Sequence, residues 1–129
     1  MIDIDDFKNY NDKFGHLVGD AIIKTIASEI KSNIREIDLL GRFGGEEFLC
    51  IFPETTKEGA NFAAERIRKA IEAKEIQAYD EVLKATVSVG ASTFPSDALN
   101  PTELIDKADW ALYRAKKMGK NRVCSFAIF

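Results

Sequence analysis

The sequence predicts a single α+β domain in which helices pack on a mostly antiparallel sheet. Its 129 residues, 46% of them apolar and 30% charged, are ordinary for one globular domain and exclude disorder. Two apolar runs flank the dipeptide Gly44-Gly45, a sequence typical of a β-hairpin. Three segments repeat apolar residues at the helical period, and another alternates as a strand does. The predicted order is therefore strand, helix, hairpin, helix, strand, helix, strand.

The opening of the chain is predicted to be a strand that ends in acidic residues, followed by a helix. Residues 1–6 look like the end of a buried strand, and residues 8–13 form a short polar connection. Asp20 is a candidate N-cap of the first helix, which we expect to continue to about Arg35. The apolar positions of this helix recur at the helical spacing: Ile23, Ile26, Ala27, Ile30 and Ile34.

The middle of the chain is predicted to be a hairpin and then a second helix. The hairpin strands are residues 39–43 and 48–52, and Pro53 ends the second of them. Thr56 is expected to cap the helix that follows. The buried face of that helix is expected to contain Ala60, Ala63, Ala64, Ile67 and Ile71.

The last third of the chain is predicted to contain a strand, a helix and a final strand. Residues 82–93 alternate, with one face made of Ala85, Val87, Val89 and Ala91. Asn100 followed by Pro101 marks the start of the last helix, and Gly119 marks its end. The buried face of this helix is expected to contain Leu104, Ile105, Ala108, Leu112 and Ala115. Residues 123–129 are mostly apolar and are expected to form the last strand.

Composition and charge argue against several classes of protein. Acidic residues outnumber basic ones 21 to 18, which argues against general binding to the nucleic-acid backbone. No apolar run approaches the roughly 20 residues needed to span a bilayer, and no signal peptide opens the chain, so we expect a cytoplasmic protein. Cys50 and Cys124 lie in apolar, strand-like contexts without metal-ligand spacing, and we expect both to be reduced core residues.

Acidic residues are concentrated at two predicted turns. Asp3, Asp5 and Asp6 lie at the end of the opening strand, and Glu46 and Glu47 follow the glycine pair. Because side chains alternate along a strand, Asp3 and Asp5 share a face. If the opening strand pairs with the hairpin, Asp3 and Glu46 can converge, and their oxygens with a backbone carbonyl suit Mg²⁺. The alternative is that these acids form a solvated turn and a solvated hairpin tip.

The acidic residues belong to a longer series of ordered motifs. The first group is Asp3-Ile4-Asp5-Asp6-Phe7-Lys8-Asn9-Tyr10-Asn11-Asp12, Gly15-His16, Gly19-Asp20 and Arg42-Phe43-Gly44-Gly45-Glu46-Glu47-Phe48. The second group is Ser88-Val89-Gly90, Ala108-Asp109, Tyr113-Arg114-Ala115-Lys116 and Gly119-Lys120-Asn121. Together these motifs cover nearly the whole chain and resemble the GGDEF family of diguanylate cyclases. The resemblance implies a sheet wrapped by helices, similar to nucleotidyl cyclase and polymerase palm domains.

The resemblance also implies an activity and its metal. Members of the family join two GTP molecules into cyclic di-GMP and release two pyrophosphates, with one GTP held by each subunit of a homodimer. By similarity, Asp3, the carbonyl of Ile4 and Glu46 would hold Mg²⁺ or Mn²⁺. Glu46 or Glu47 would help to take the proton from the attacking hydroxyl, which metal coordination makes accessible near neutral pH.

Four residues resemble the family's phosphate contacts. Lys8 would stabilise the transition state as a point charge, and the Phe7-Lys8 turn would offer backbone N–H groups. Lys116 and Lys120 resemble contacts to the triphosphate. On the residues alone, Lys8 also fits an exposed lysine in a turn, and the two later lysines also fit a helix C-terminus, where they complement the dipole.

Three residues resemble the positions that bind guanine, namely Asn11, His16 and Asp20. A carboxylate such as Asp20 can accept from N1–H and the exocyclic amine of guanine, a pattern that adenine does not offer. Leaving that acceptor unpaired would penalise ATP. The alternatives are a helix N-cap for Asp20 and a structural histidine for His16.

A third site is implied by the sequence Arg35-Glu36-Ile37-Asp38. It resembles the RxxD site of the family, where product binds and inhibits the enzyme, and Arg66 resembles a secondary contact from a neighbouring domain. Arg35 could grip phosphate or stack on guanine, and Asp38 could accept from the base edge. The alternatives are an exposed salt bridge at a helix end and, for the whole chain, a non-catalytic module that binds cyclic di-GMP.

Compared with the family pattern, two parts are expected to be missing from residues 1–129. The family's preceding helix and most of its first strand have no counterpart ahead of Met1. A sensory domain is expected as a partner in a full-length protein, and a shortened first strand would affect folding and dimer geometry.

Overall fold

A computed structural model describes residues 1–127. Within that span the chain forms four helices and seven strands. In chain order they are β1 Ile2–Ile4, α1 Phe7–Phe14, α2 His16–Ser32, β2 Leu39–Gly44, β3 Glu47–Ile51, α3 Lys57–Ala73, β4 Ile76–Ala78, β5 Glu81–Leu83, β6 Val87–Ala91, α4 Pro101–Lys117 and β7 Val123–Ser125.

The main sheet has five strands in the order β2-β3-β1-β6-β7. β1 pairs antiparallel with both of its neighbours, so the opening strand lies at the centre of the sheet. The pairing of β6 with β7 is parallel, while β4 and β5 form a separate two-stranded sheet. The predicted α+β class with a mostly antiparallel sheet is confirmed.

The helices bury the two faces of this sheet unequally. Ile2 and Ile4 of β1 face the main core, which also contains the apolar sides of α2 and α3. Met1 faces the other way and packs with Ala108 and Leu112 of α4 in a smaller cluster. Because strand side chains alternate, Asp3 lies on the α4 face of the sheet.

The predicted caps of the last two helices are confirmed. The side chains of Thr56 and Asn100 each accept a hydrogen bond from a backbone N–H in the first turn of α3 and α4, respectively. Pro101 is the first residue of α4, and Gly119 follows the end of that helix with φ +123°. A β-carbon is disfavoured at such a φ, which explains glycine there.

Two predictions about the opening segment are wrong. Residues 8–13 are not a polar connection but most of α1, because Phe7, Tyr10 and Phe14 repeat at helical spacing and pack on the core. α2 begins at His16 after Gly15, so Asp20 lies inside the helix and is not its N-cap. Asp20 is therefore free of a capping role and is exposed to solvent.

The predicted strand 82–93 is two strands. β5 pairs with β4 in the small sheet, and β6 pairs with β1 in the main sheet. The chain leaves one sheet for the other between them, where the Tyr10 hydroxyl donates to the Lys84 carbonyl at 2.5 Å. The last strand is shorter than predicted, and residues 128–129 of that prediction lie outside the described residues.

Cys50 and Cys124 are both free thiols and are only partly buried. Burial raises the pKa of Cys50 to about 11, so this thiol stays protonated near neutral pH. Along residues 1–127 no helix is both long and apolar enough to cross a bilayer.

Candidate functional site

The acidic residues meet at one end of the ladder between β1 and β3. Asp3 lies opposite Glu47 in the antiparallel register, and the Ile4 N–H donates to the Glu46 carbonyl at 3.2 Å. The turn at Gly45-Glu46 brings β3 back beside β2 at this same end, with a register shift between Arg42 and Gly44. The hairpin therefore places two glutamates next to the end of the central strand.

Negative charge is concentrated at this end of the ladder. Asp3 is 5% exposed, and Lys116 of α4 donates to its carboxylate. Burial raises the pKa of Asp3 above its usual range, and the ion pair with Lys116 opposes that rise. Burial also raises the pKa of Glu47, and the charges of Asp3 and Asp109 raise it further. An additional cation would relieve this repulsion.

The donor atoms fit Mg²⁺ or Mn²⁺ only if the cation keeps other ligands. Within residues 1–127, no group of three or more His, Cys, Asp or Glu side chains forms a complete metal site. The predicted set supplies two carboxylates, from Asp3 and Glu46, and the carbonyl of Ile4. Mg²⁺ commonly binds through one or two carboxylates and completes its shell with water and substrate phosphates. The residues present fit that mode.

Asp5 has a role that the sequence analysis did not assign. Its carboxylate accepts hydrogen bonds from the Thr86 hydroxyl at 2.7 Å, from the Ser88 hydroxyl at 2.6 Å and from the Asn121 backbone N–H at 3.0 Å. It thereby joins β1, β6 and the segment after α4. Two signals in the sequence could have indicated this role. Asp5 is two residues from Asp3, and β6 contains a serine among apolar residues.

The predicted phosphate contacts lie around the same acids. Lys116 contacts Asp3, and Lys120 donates to Asp6 at 2.6 Å. Phe7 is buried and Lys8 is exposed, and both lie in the first turn of α1 rather than in an isolated turn. The first N–H groups of a helix have no partner within the helix, so this turn can donate to an anion.

The predicted guanine-binding residues are only partly brought together. Asp20 lines an open cavity of about 560 Å³ with residues that include Lys24, Arg42 and Tyr79, whereas Asn11 and His16 do not line it. The Oδ1 atom of Asn11 is buried and has no hydrogen-bond partner within the described residues. It lies beside Gly19, where a β-carbon would be only 1.8 Å away. His16 is exposed at the start of α2.

Arg35 and Asp38 form a closed turn. The Arg35 guanidinium donates to Asp38 at 2.8 Å and to the Thr55 hydroxyl at 2.8 Å, and the Arg35 backbone N–H donates to Asp38 at 2.7 Å. Arg66 donates to the Asn33 carbonyl at 2.7 Å, and its charge helps to lower the pKa of Asp38. The structure thus places Arg66 beside this turn within the same chain.

The ion pair between Arg35 and Asp38 predicts that the stability of the fold depends on pH. The hydrogen bonds from Arg35 hold the pKa of Asp38 below its usual range. The stabilisation is therefore complete above the unfolded pKa of about 3.9 and is lost as the pH falls through the lower folded pKa. We expect Asp38→Asn to lower the melting temperature at pH 6 and to have a smaller effect at the lowest pH at which the protein still melts. Thermal melts of both proteins measure this, and Glu36→Gln, an exposed neighbour, should retain the wild-type pH profile.

The sequence matches known proteins over nearly its whole length. A family model described as "Diguanylate cyclase, GGDEF domain" matches residues 1–122. Diguanylate cyclase A of Treponema denticola is 42% identical over 123 residues, which are 95% of this chain and 33% of that protein. The probable diguanylate cyclase DgcT of Escherichia coli K12 is 45% identical over 125 residues, 95% of this chain and 28% of that protein. The chain thus spans a third or less of these curated relatives.

Solved structures give the same answer for the fold. The GGDEF domain of YfiN (TpbB) from Pseudomonas aeruginosa superimposes with a TM-score of 0.94 at 32% identity, over 99% of this chain and 80% of that one. The active GGEEF domain of a diguanylate cyclase from Vibrio cholerae superimposes with a TM-score of 0.90 at 34% identity, over 99% and 81%. From the family match and the shared fold, this chain belongs to the GGDEF domain family of diguanylate cyclases.

Proposed function

We propose that this chain is the catalytic domain of a diguanylate cyclase, which condenses two GTP molecules into cyclic di-GMP. The observation that carries the proposal is that the register of β1 on β3 sets Asp3 opposite Glu47, while α4 brings Lys116 to the same carboxylate. Buried acids next to lysines are suited to a cation and a polyphosphate together. The names of the relatives support the same activity.

The reaction needs a nucleophile, a leaving group and a second active site. The 3′-oxygen of each GTP forms a bond to the α-phosphorus of the other, and the bond from that phosphorus to the bridging oxygen breaks, releasing pyrophosphate. One such step per nucleotide closes the ring, so two chains must face each other as a homodimer. Glu46 or Glu47 accepts the proton of the 3′-hydroxyl. Burial and the charge of Asp3 raise the pKa of Glu47, which favours a proton held on its carboxylate.

Asp3, Glu46 and the Ile4 carbonyl would hold Mg²⁺ or Mn²⁺. When bound, the cation would neutralise charge on the phosphates and make the 3′-hydroxyl more acidic. Lys116 and Lys120, which pair with acids of the opening segment, contact the triphosphate of the bound nucleotide. Lys8 and the first N–H groups of α1 neutralise charge that develops at the α-phosphate.

The proposal is tested by incubating the chain with GTP and Mg²⁺ and separating the products by chromatography. We expect cyclic di-GMP and pyrophosphate in a ratio of one to two, with a rate that rises faster than linearly with protein concentration in the range where dimers form. Absence of cyclic di-GMP at concentrations where sedimentation shows a dimer would contradict the activity. Sedimentation without nucleotide is the control for dimer formation.

Asp20 is proposed to select guanine, because an exposed carboxylate in an open cavity can accept from N1–H and the exocyclic amine. We expect Asp20→Asn to weaken GTP binding by about tenfold, since one charge-assisted acceptor is lost, and not to weaken ATP binding. Calorimetry with both nucleotides measures this. Lys31→Gln, which changes an exposed residue at the other end of α2, should leave both affinities unchanged.

Product inhibition is proposed at Arg35 and Asp38. About half of the Arg35 side chain is exposed, so phosphate can reach it although it already binds Asp38 and Thr55. A related GGDEF domain, that of DgcB from Caulobacter crescentus, was solved in complex with c-di-GMP. We expect Arg35→Ala to weaken inhibition by added cyclic di-GMP at least tenfold in the cyclase assay. Lys84→Ala, which removes an exposed cation between β5 and β6, should leave inhibition unchanged.

The second candidate function is a receptor for cyclic di-GMP without catalysis, favoured by the intact turn at Arg35 and Asp38. It predicts product binding by calorimetry with no turnover of GTP. If Arg35→Ala still binds cyclic di-GMP as the wild type does, this turn is neither the inhibitory site of a cyclase nor the binding site of a receptor.

A further inference from the structure

The segment between α4 and β7 contains three consecutive residues with positive φ. Gly119, Lys120 and Asn121 have φ of +123°, +64° and +47°, respectively. Glycine adopts such angles freely and asparagine tolerates them, whereas a lysine in this region is uncommon. Residues in sparsely populated conformations persist only where the surrounding structure holds them, and they cluster at functional sites. We refer to residues 119–121 as the 119–121 turn.

The 119–121 turn places the ammonium group of Lys120 at the start of α1. Lys120 donates to Asp6 at 2.6 Å, and Asp6 immediately precedes that helix. The Lys120 side chain is 44% exposed, so an anion can reach it from solvent. Lys116 contacts Asp3 in the same acidic segment. Because a lysine side chain is flexible, the conformation of the turn decides where this ammonium group can reach.

One side of the 119–121 turn is fixed by Asp5. The Asn121 N–H donates to the Asp5 carboxylate at 3.0 Å, and the Ser88 hydroxyl donates to the same carboxylate at 2.6 Å. Asp5 is 6% exposed, and its own N–H donates to the Thr86 carbonyl at 2.9 Å. Asp5 is therefore held in place by Thr86 and Ser88 and gives the turn a fixed support.

The other side of the turn is fixed by Arg68 of α3. Its guanidinium donates to the side-chain oxygen of Asn121 at 2.8 Å and to Glu65 at 2.6 Å. The Asn121 amide also donates to Glu72, which lies 3.5 Å from Arg68. The Arg68 side chain is only 12% exposed. Both the oxygen and the nitrogen of the Asn121 amide are therefore bonded to α3, which holds the side chain in one orientation.

We propose that Arg68 is a positioning residue for nucleotide binding. Through Asn121 it holds the 119–121 turn against Asp5, and the turn sets the ammonium group of Lys120 where it meets the triphosphate. The proposal rests on the proposed function, because it takes the triphosphate of the bound nucleotide as the ligand of Lys120. Arg68 acts through Lys120 and does not itself contact the nucleotide.

The test compares two nucleotides that differ in the outer phosphates, namely the unreactive α,β-methylene analogue of GTP and GMP. Calorimetry in the presence of Mg²⁺ gives both affinities. We expect Arg68→Met to weaken binding of the GTP analogue about tenfold, since a misplaced ammonium group loses a charge-assisted contact. GMP binding should change less than about twofold, because GMP lacks the phosphates that Lys120 contacts. An equal loss for both nucleotides, or no loss for either, would overturn the proposal.

A double-mutant cycle tests whether Arg68 acts through Lys120. Lys120→Ala removes the ammonium group, so adding Arg68→Met in that background should cause no further loss of affinity for the GTP analogue. Losses that multiply would show that the two residues act independently, and would overturn the proposal. Failure of the wild type to bind the GTP analogue would be a different result, because it would contradict the proposed function and remove the ligand of Lys120 with it.

Two further variants separate positioning from stability. Asn121→Gly removes the amide that Arg68 holds, while glycine adopts φ +47° readily, so we expect the melting temperature to be retained and the GTP analogue alone to bind more weakly. Ile71→Val, at a buried position of α3, should lower the melting temperature without changing the ratio of the two affinities. An unchanged ratio in Asn121→Gly, or a changed ratio in Ile71→Val, would overturn the proposal.

Discussion

Asp3→Asn is expected to reduce cyclase turnover about 100- to 1,000-fold, the range seen when one preorganised electrostatic group is removed from an active site. The change keeps the size of the side chain and removes its charge. Asp3 is a buried acid of the site, opposite Glu47 and in contact with Lys116. Without it, the cation keeps one carboxylate and one carbonyl from the protein. Initial rates with saturating GTP, over a range of Mg²⁺ concentrations, measure the loss.

The result is informative only if the folded structure survives. A neutral amide can still accept from Lys116, so we expect the melting temperature to change by only a few degrees. Asp6→Asn is the matched control, because Asp6 lies in the same acidic segment and is exposed, and it pairs with Lys120. It should retain turnover within about tenfold. Binding of Mn²⁺, followed by electron paramagnetic resonance, should weaken in Asp3→Asn alone. Equal turnover of Asp3→Asn and the wild type would remove Asp3 from the proposed site.

Signals that act over a few residues were sufficient to predict much of the fold. The glycine pair, the Thr56 cap and the Asn100-Pro101 start each depend on neighbours within one turn, and all three are confirmed. α1 was not predicted, because such local signals are weak in it. It is only eight residues long, and only three of its residues, Phe7, Tyr10 and Phe14, pack on the core among polar ones. Asp6 precedes it in a left-handed conformation without a side-chain cap, so the usual start signal is missing.

The candidate site depends on contacts that no local pattern specifies. Lys116 and Asp3 are 113 positions apart, and Asp5 reaches Ser88 across 83. Such pairs are fixed by strand order and by where α4 crosses the sheet. Motif resemblance selected the residues, but the partners of Asp5 became evident only once β6 lay beside β1. The cavity at Asp20 likewise depends on Tyr79, which lies between β4 and β5. The sequence analysis predicted no element there and joined β5 to β6 in one strand.

The position of α4, and with it Lys116, depends on the absence of a side chain at residue 90. A β-carbon on Gly90 would lie 2.1 Å from the Leu112 nitrogen and 2.2 Å from the Ala108 carbonyl oxygen. Both atoms belong to the helix backbone, so neither can move without moving α4. We therefore expect Gly90→Ala to destabilise the fold by about 3 kcal/mol or more, at the upper end for overpacking. Urea unfolding followed by circular dichroism measures it.

Gly41→Ala is the matched control, because a β-carbon there meets no atom within 4 Å on the edge strand β2. Its free energy of unfolding should stay within about 0.5 kcal/mol of the wild type. If Gly90→Ala still folds, α4 must have shifted away from the sheet and carried Lys116 from Asp3. The folded fraction of Gly90→Ala should then bind nucleotide more weakly than the wild type does, beyond the loss that unfolding alone would cause. Wild-type stability in Gly90→Ala would mean that α4 does not pack against β6 as closely as described, and that the ion pair between Lys116 and Asp3 is not fixed by this contact.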